Sequence, residues 1–370
     1  MKRIVFVSNT SWNLVNFRMP LIKELLLKGN QVFCLAPKDN FTKILEALPG
    51  LHYLHLKYVQ ARGMNPFFEL LLMAHILVRV KRIKPDLVIS YTIKPNIYAG
   101  IICRWLNIPI MNNITGLGSE YKEGRGFSKA IGKMLHYTLE KSTAVIFHNS
   151  ADKECLIRDA IIQEKNTYVI NGSGIDIEFF KCRNKIRRVN KFLFLGRLLP
   201  EKGILEFIDA AREILIKRKD VSFTIVGDSY SVDNEEIRIA LERIRDDKSF
   251  TIRKFTDDPR SCLEKSDCLI LPSSREGLSK SLMEAMSMER VVIASNVPGC
   301  SELLDNGKNG VILEEISWRS VYNAISTVLD MDENEILLLT ESARNKIKSE
   351  YTAEFIVNQY NNILHQNFLL

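Results

Sequence analysis

The sequence predicts an α/β protein of two doubly wound domains. Short apolar runs alternate with helix-length amphipathic stretches, the alternation stops near 172–190 and then resumes, and 370 residues are too many for one ordinary core. Strands separated by helical stretches argue for parallel sheets covered on both faces.

The first alternation begins at residue 2, with strands expected at 3–7, 31–35, 51–56, 87–90, 109–113, 144–148 and 167–170. Helices fill the gaps near 18–29, 41–48, 66–83, 96–106, 127–141 and 151–159. The pause is a turn cluster, Asn171-Gly172-Ser173-Gly174, followed by a polar, basic stretch over 181–191. A first domain over 1–172 and a linker at 173–190 follow from it. The second domain, 191–350, has expected strands at 192–195, 222–226, 250–253, 268–271, 291–294 and 310–313. Two helices near 333–349 and 352–366 have no strand after them, and the last segment, 351–370, is expected to pack back across the domain boundary.

With 46% apolar and 26% charged residues the composition is globular. The seven cysteines (34, 103, 155, 182, 262, 268 and 300) form no C-x-x-C pair and the six histidines no H-x-x-x-H pair, which argues for reduced, buried thiols and against a disulfide framework or zinc site. Lys2-Arg3 is followed by only four apolar residues before Ser8, which is not a secretory signal. The longest apolar stretch, 67–78, is broken by Glu69 and His75 and is too short to cross a bilayer. A cytoplasmic protein, soluble or at most peripheral, is expected.

Charge is unevenly placed: 23 Lys and Arg against 14 Asp and Glu over 1–180, and 28 against 30 in the rest. A basic first half fits a lipid surface, a lipid diphosphate or nucleic acid, or else a solvated surface. Aromatics are not interleaved with the basic residues and no nucleic-acid module is present, so nucleic acid is not expected. The stretches 14–28 and 66–84 place Phe17, Arg18, Lys23, Lys28, Arg79, Lys81 and Arg82 on or beside apolar helices, which suits a protein lying on an anionic leaflet. Buried helix faces with solvated basic flanks read the same way.

The chemistry gathers at two loops of the second domain. Segment 275–284, REGLSKSLME, leads from an expected strand end into a helix, where ligands of open α/β sheets bind. There the N–H groups of Gly277, Leu278 and Ser279 are expected to face an anion such as a diphosphate. Glu276 and Glu284 could accept hydrogen bonds from sugar hydroxyls; alternatively, Ser281 and Glu284 are a capping box and Glu276 a solvated loop acid. The loop after the domain's first strand reads Gly196-Arg197-Leu198-Leu199-Pro200-Glu201-Lys202-Gly203, in which Arg197 offers a donor fork and Lys202 a compact charge, both suited to diphosphate oxygens.

Other chemistries fit less well. No strand is followed by the G-x-G-x-x-G of a dinucleotide enzyme. Asp330-Met331-Asp332 lies between two helices, where Asp332 reads as a cap and not as a metal ligand. A hydrolase using Glu276 and Glu284 as its acid pair leaves the basic loop without a role.

GRLLPEKG, the E-x7-E segment SREGLSKSLMEAMS, the following VIASNVPGCSELLDNGKNGVIL and the INGSGID hinge together resemble the family-4 retaining glycosyltransferases of GT-B fold. The match runs through nearly the whole chain. Asn16-Phe17-Arg18-Met19-Pro20, Asn65-Pro66-Phe67 and Thr115-Gly116-Leu117-Gly118-Ser119 are similar to bacterial enzymes that extend undecaprenyl-diphosphate-linked glycans, N-acetylgalactosaminyltransferases among them. The resemblance implies two Rossmann-like domains facing an interdomain cleft, acceptor domain first and sugar-nucleotide domain second. It implies that Arg197 and Lys202 bind the donor diphosphate and stabilise the leaving group and that Glu276 faces the donor sugar. Gly196, Gly277, Leu278, Ser279 and Lys280 then line the donor, Glu284 holds the ribose hydroxyls, and Asn16, Phe17, Arg18, Thr115 and Gly116 belong to the acceptor side.

The implied activity is metal-independent, retaining transfer of an N-acetylhexosamine such as GalNAc from a UDP-sugar to a polyprenyl-diphosphate-linked saccharide, at the cytoplasmic face of the inner membrane and without a cofactor. Hexose transfer to a similar acceptor, or a non-catalytic sugar-nucleotide scaffold, are the alternatives. Three positions depart from the family pattern. Ser8-Asn9-Thr10-Ser11 replaces a glycine pair after the first strand, Thr115 stands where many relatives have histidine, and Ser279 replaces a proline.

Overall fold

The computed structural model describes residues 1–59, 65–117, 121, 128–228 and 234–368. The chain divides into two compact units, Met1–Gly174 with Ala353–Leu370, and Ile175–Thr352.

Unit 1 runs β1 (Arg3–Val7), α1 (Ser11–Leu27), β2 (Gln31–Ala36), α2 (Thr42–Glu46), β3 (Leu51–His55), α3 (Pro66–Ile83), β4 (Leu87–Tyr91), α4 (Ile93–Leu106), β5 (Ile110–Ile114), α5 (Lys129–Leu139), β6 (Ala144–Phe147), α6 (Ser150–Arg158) and β7 (Thr167–Val169). Its strands form one parallel sheet in the order β3-β2-β1-β4-β5-β6-β7. Side chains alternate across it as the two-residue period requires: Val5 and Val7 enter one core, Ile4 and Phe6 the other.

Helix α1 starts well before the expected residue 18. Thr10 caps it by accepting from the Asn13 amide at 3.0 Å, and it continues through Pro20. Proline supplies no N–H in mid-helix, and one turn earlier the Asn16 side chain donates to the Trp12 carbonyl at 3.1 Å. Arg18, expected as a surface cation, is therefore on a helix and points inward with Leu14, Leu21, Ile22 and Leu25, only 3% exposed.

Unit 2 runs β8 (Lys191–Leu195), a 3-10 turn (Pro200–Lys202), α7 (Ile204–Lys217), β9 (Ser222–Val226), α8 (Glu235–Ile244), β10 (Phe250–Arg253), α9 (Arg260–Glu264), β11 (Cys268–Leu271), α10 (Lys280–Ser287), β12 (Val291–Ser295), β13 (Val311–Leu313), α11 (Trp318–Asp330) and α12 (Glu333–Glu350). Its parallel sheet has the order β10-β9-β8-β11-β12-β13. Phe192 and Phe194 pack into one core and Leu193 and Leu195 into the other. The stretch 173–190, expected as a linker, contributes buried Ile175, Phe180, Ile186 and Val189 to these cores. Its polar composition comes from the residues between those anchors. Asp332 caps α12 in a capping box with Glu335, as its sequence position indicates.

Thr352 bridges Ile175, and the Ile175 amide donates to the Tyr351 carbonyl at 2.8 Å, so the two chain crossings run side by side. Beyond them, α13 (Ala353–Phe368) returns to unit 1. Ile356, Tyr360, Ile363 and Leu364 complete the core that holds Ile4 and Phe6. The Tyr360 hydroxyl donates to Asn113 Oδ1 at 2.7 Å. No helix among the described residues is long and apolar enough to cross a membrane.

Candidate functional site

In unit 2 the first strand in sequence, β8, lies between β9 and β11, so the strand order reverses there. Loops leaving such a switch point diverge to opposite faces and open a crevice at the strands' carboxyl ends. The two loops singled out in the sequence are the ones that leave it: 196–203 follows β8 and 272–279 follows β11.

They are tied together by backbone and side chains. The Ser274 amide donates to the Glu201 carbonyl at 2.9 Å. Gly203 has φ +73°, and a Cβ there would stand 2.1 Å from the Pro272 carbonyl oxygen, so only glycine admits this approach. Lys202 Nζ thereby reaches Glu276 Oε1 at 2.6 Å, with both side chains less than 15% exposed. Ser273 Oγ donates to the same carboxylate oxygen at 2.9 Å, a contact that nothing in the residue types foretold. In the same loop Arg197 is exposed and Gly196 is half-buried.

Glycine 299 is a second close approach, with φ +82° and a would-be Cβ 2.7 Å from the Gly277 carbonyl. Its carbonyl accepts the Ser279 amide at 2.9 Å. That amide was expected to face an anion, and the expectation fails for it because the loop through Gly299 folds over the strand end and takes the donor. Ser279, buried, instead caps α10, its hydroxyl accepting from the Leu282 amide at 3.4 Å. The capping-box reading of Ser281 and Glu284 is corrected by the same finding: Ser281 lies inside the helix, and Ser279 is the cap.

Glu284 is thus left without a capping role, 6% exposed on the first turns of α10. Lys280 Nζ approaches it at 3.7 Å, one helical turn back. Burial pushes its carboxyl up to about 7, with the Lys280 charge and hydrogen bond pulling the other way. Gly277, Leu278 and Lys280 are half-buried along the same loop. The resulting crevice has cations from the β8 loop, a helix N-terminus and two carboxylates, which is a set able to hold a diphosphate and hydroxyl groups together.

The remaining candidates lie in unit 1. Asn16 and Phe17 are half-buried on α1, Arg18 is buried there, and Thr115 and Gly116 follow β5, half-buried. Gly118 and Ser119 lie outside the described residues. No cluster of three His, Cys, Asp or Glu able to hold a metal ion occurs among the described residues.

Two family models match in sequence: "Glycosyl transferase 4-like" over residues 3–149 and "Glycosyl transferases group 1" over 176–347. Between them they account for most of both units. The chain belongs to the GT-B glycosyltransferases. It is 26% identical, over 97% of each chain, to the Campylobacter jejuni N,N'-diacetylbacillosaminyl-diphospho-undecaprenol alpha-1,3-N-acetylgalactosaminyltransferase. It is 27% identical to the Escherichia coli UDP-Gal:alpha-D-GlcNAc-diphosphoundecaprenol alpha-1,3-galactosyltransferase over 89% of this chain and 90% of that one. Among solved structures, Anabaena HepE in complex with UDP and glucose superposes with a TM-score of 0.81 at 19% identity, covering 99% of this chain and 100% of that one. A Rickettsia africae glycosyltransferase gives 0.81 at 18%, covering 100% and 98%. This glycosyltransferase therefore carries its two charged loops at the crevice of unit 2, where the GT-B fold leaves the strand ends open.

Proposed function

We propose that this glycosyltransferase transfers an N-acetylhexosamine, GalNAc in our reading, from UDP to a polyprenyl-diphosphate-linked saccharide during bacterial surface-glycan assembly. The observation that carries the donor half is the meeting of Lys202 and Glu276 at the switch point of unit 2. In the free protein the carboxylate holds the lysine; an arriving diphosphate competes for Lys202, with Arg197 beside it, and frees Glu276 to accept from the sugar. Glu284 takes the ribose hydroxyls. Gly196, Gly277, Leu278, Ser279 and Lys280 line the donor, Ser279 through its cap on α10 and not through its amide. The acceptor half rests on the two enzymes named above, both of which act on diphospho-undecaprenol-linked substrates.

The step we propose is retaining. The acceptor hydroxyl oxygen bonds to the sugar C1 as the C1–O bond to the diphosphate breaks, and the hydroxyl proton passes to the departing phosphate. No protein base is then needed, and Arg197 and Lys202 stabilise the developing charge without a metal. We further place the protein peripherally at the cytoplasmic face of the inner membrane, with Asn16, Phe17, Thr115 and Gly116 on the acceptor side. Galactose transfer to a similar acceptor is the second reading, favoured by the Escherichia coli relative.

The test is to incubate purified protein with UDP- and GDP-sugars and short polyprenyl-diphosphate glycans, with and without chelator, and to read product mass. A product gaining one N-acetylhexosamine from the UDP donor alone, undiminished by chelator, is the expected result. A GDP-sugar product, or activity abolished by chelator and restored by manganese, overturns the proposed donor or mechanism.

A further inference from the structure

The sheet of unit 1 has its own switch point, between β1 and β4, and buried polar atoms at that edge lack partners. The guanidinium carbon of Arg18 lies 4.1 Å from the centroid of Tyr91, the last residue of β4, and 5.9 Å from that of Phe17. Among the described residues its Nε and Nη1 have no hydrogen-bond partner and Arg18 forms no ion pair. Three more unpartnered atoms among the described residues follow strand ends of the same sheet: Ser8 Oγ after β1, Thr92 Oγ1 after β4 and His148 Nε2 after β6, with one strand between β4 and β6. Ser8 and His148 are fully or nearly buried, at 0% and 7% exposure. Thr92 adopts φ 70° and ψ 159°, a backbone state that residues other than glycine hold only under constraint, most often at functional sites. Burial, helped by the Arg18 charge, keeps His148 well below its usual range and therefore uncharged at neutral pH.

A ring face meets the guanidinium on one side but cannot satisfy its N–H edge. Native proteins rarely leave such groups unpaired, least of all a charge that is always present. An internal carboxylate would be the simple remedy if neutralising Arg18 were the only requirement. Strained backbone, an unpaired donor fork and a strand-end crevice at a switch point together point to a bound oxyanion.

We propose that Arg18, with Ser8, Thr92 and His148 around it, binds a diphosphate oxygen of the polyprenyl-linked acceptor, an assignment that rests on the acceptor class proposed above. The donor diphosphate is already provided with Arg197 and Lys202 in unit 2, whereas Arg18 stands in the half of the chain that carries the basic excess. The half-buried Phe17 ring lies against the guanidinium, so an entering anion displaces a side chain and not the backbone.

The experiment titrates UDP-saturated protein with farnesyl diphosphate by calorimetry, so that the donor site is already filled. Wild type is expected to bind, and Arg18→Met to bind roughly 10- to 100-fold more weakly, the loss of one charged hydrogen-bonding partner. Affinity of the same variant for UDP alone should change by less than about twofold, and without ligand it should melt no lower than wild type, because an uncompensated buried charge has been removed. Retained farnesyl diphosphate affinity in Arg18→Met overturns the proposal, and an equal loss of UDP affinity reassigns the cluster to the donor. Should that variant not fold, ¹⁵N-histidine spectra of UDP-saturated wild type decide: a shift of the His148 ring, assigned with His148→Gln, on adding farnesyl diphosphate supports the site, and no shift overturns it. Binding of farnesyl diphosphate without any sugar transfer leaves this site standing while the proposed function falls.

Discussion

Glu284 joins two effects of opposite sign. Its carboxyl is raised to about 7 in the folded chain by burial, so the proton it holds favours folding. That contribution is complete below the ordinary carboxylate range and is lost as pH rises through about 7, at a cost of roughly 3 kcal/mol. In the role proposed for Glu284 the ribose hydroxyls need the ionised acceptor, so donor binding would run the other way. UDP affinity should rise about tenfold between pH 6 and 8 and then level off, while Glu284→Gln shows no such rise beyond that of the UDP phosphate itself, which calorimetry on both proteins separates. Identical profiles would remove Glu284 from the ribose. Arg197→Ala and Lys202→Ala should each lower turnover by ~10²-fold or more if both stabilise departing phosphate, measured as UDP release. Near-normal rates in folded variants would place the diphosphate elsewhere. Such residue types were legible in the sequence because loop cations and paired carboxylates are unusual together; the Ser273 contact was not, since a serine after a strand carries no signal of its own.

At the scale of elements, the crevice proposed for the donor depends on the approach of the 196–203 loop to the end of β11, and Gly203 is what permits it. Gly203→Ala adds left-handed strain of about 1–2 kcal/mol and drives a Cβ into the Pro272 carbonyl, so Lys202 is displaced from Glu276. Gly307 has the same φ of +73° with nothing within 4 Å, so Gly307→Ala carries the strain without the clash. Gly203→Ala should therefore lose most transfer activity and more stability than Gly307→Ala, which keeps its activity. Equal behaviour of the two variants in thermal melts and turnover would show that the close approach does not position the lysine. Helix starts illustrate the limits of pattern reading here. The alternation of strands and helices put the first helix near 18–29, whereas Thr10 caps it about two turns earlier. Ser279 and not Ser281 ended up as the cap of α10 because the Gly299 loop fixed where the chain turns.

For the whole molecule, the lipid-linked acceptor we propose requires a surface that meets a membrane. On α3, Phe67, Leu70 and Val78 are exposed at 64%, 64% and 45%, next to exposed Lys81 and Arg82; Leu27 beside Lys28 on α1 is 84% exposed. Apolar side chains interleaved with cations on one unit suit an anionic leaflet, each cation adding about 1 kcal/mol near the surface. Flotation with anionic vesicles should show binding at low salt that high salt abolishes, weakened in Phe67→Ser combined with Leu70→Ser. Protein that stays at the bottom at low salt would rule out docking through this surface. Arg18, one of the cations first assigned to it, is withdrawn by its burial.

Strand positions, two parallel sheets and the two loops that meet at the switch point of unit 2 were determined by the sequence, because local apolar periodicity and clustered loop residues report on segments a few residues long. Tertiary structure alone decided that 173–190 packs into unit 2, that α13 completes the core of unit 1, and that Lys202 meets Glu276, which lie 74 residues apart. Each of these depends on which distant segment covers a given face, and no local pattern records that. The same holds for Arg18: a charged residue within the stripe of Leu14, Leu21, Ile22 and Leu25 was visible in the sequence, but only packing showed that, among the described residues, its Nε and Nη1 have no partner.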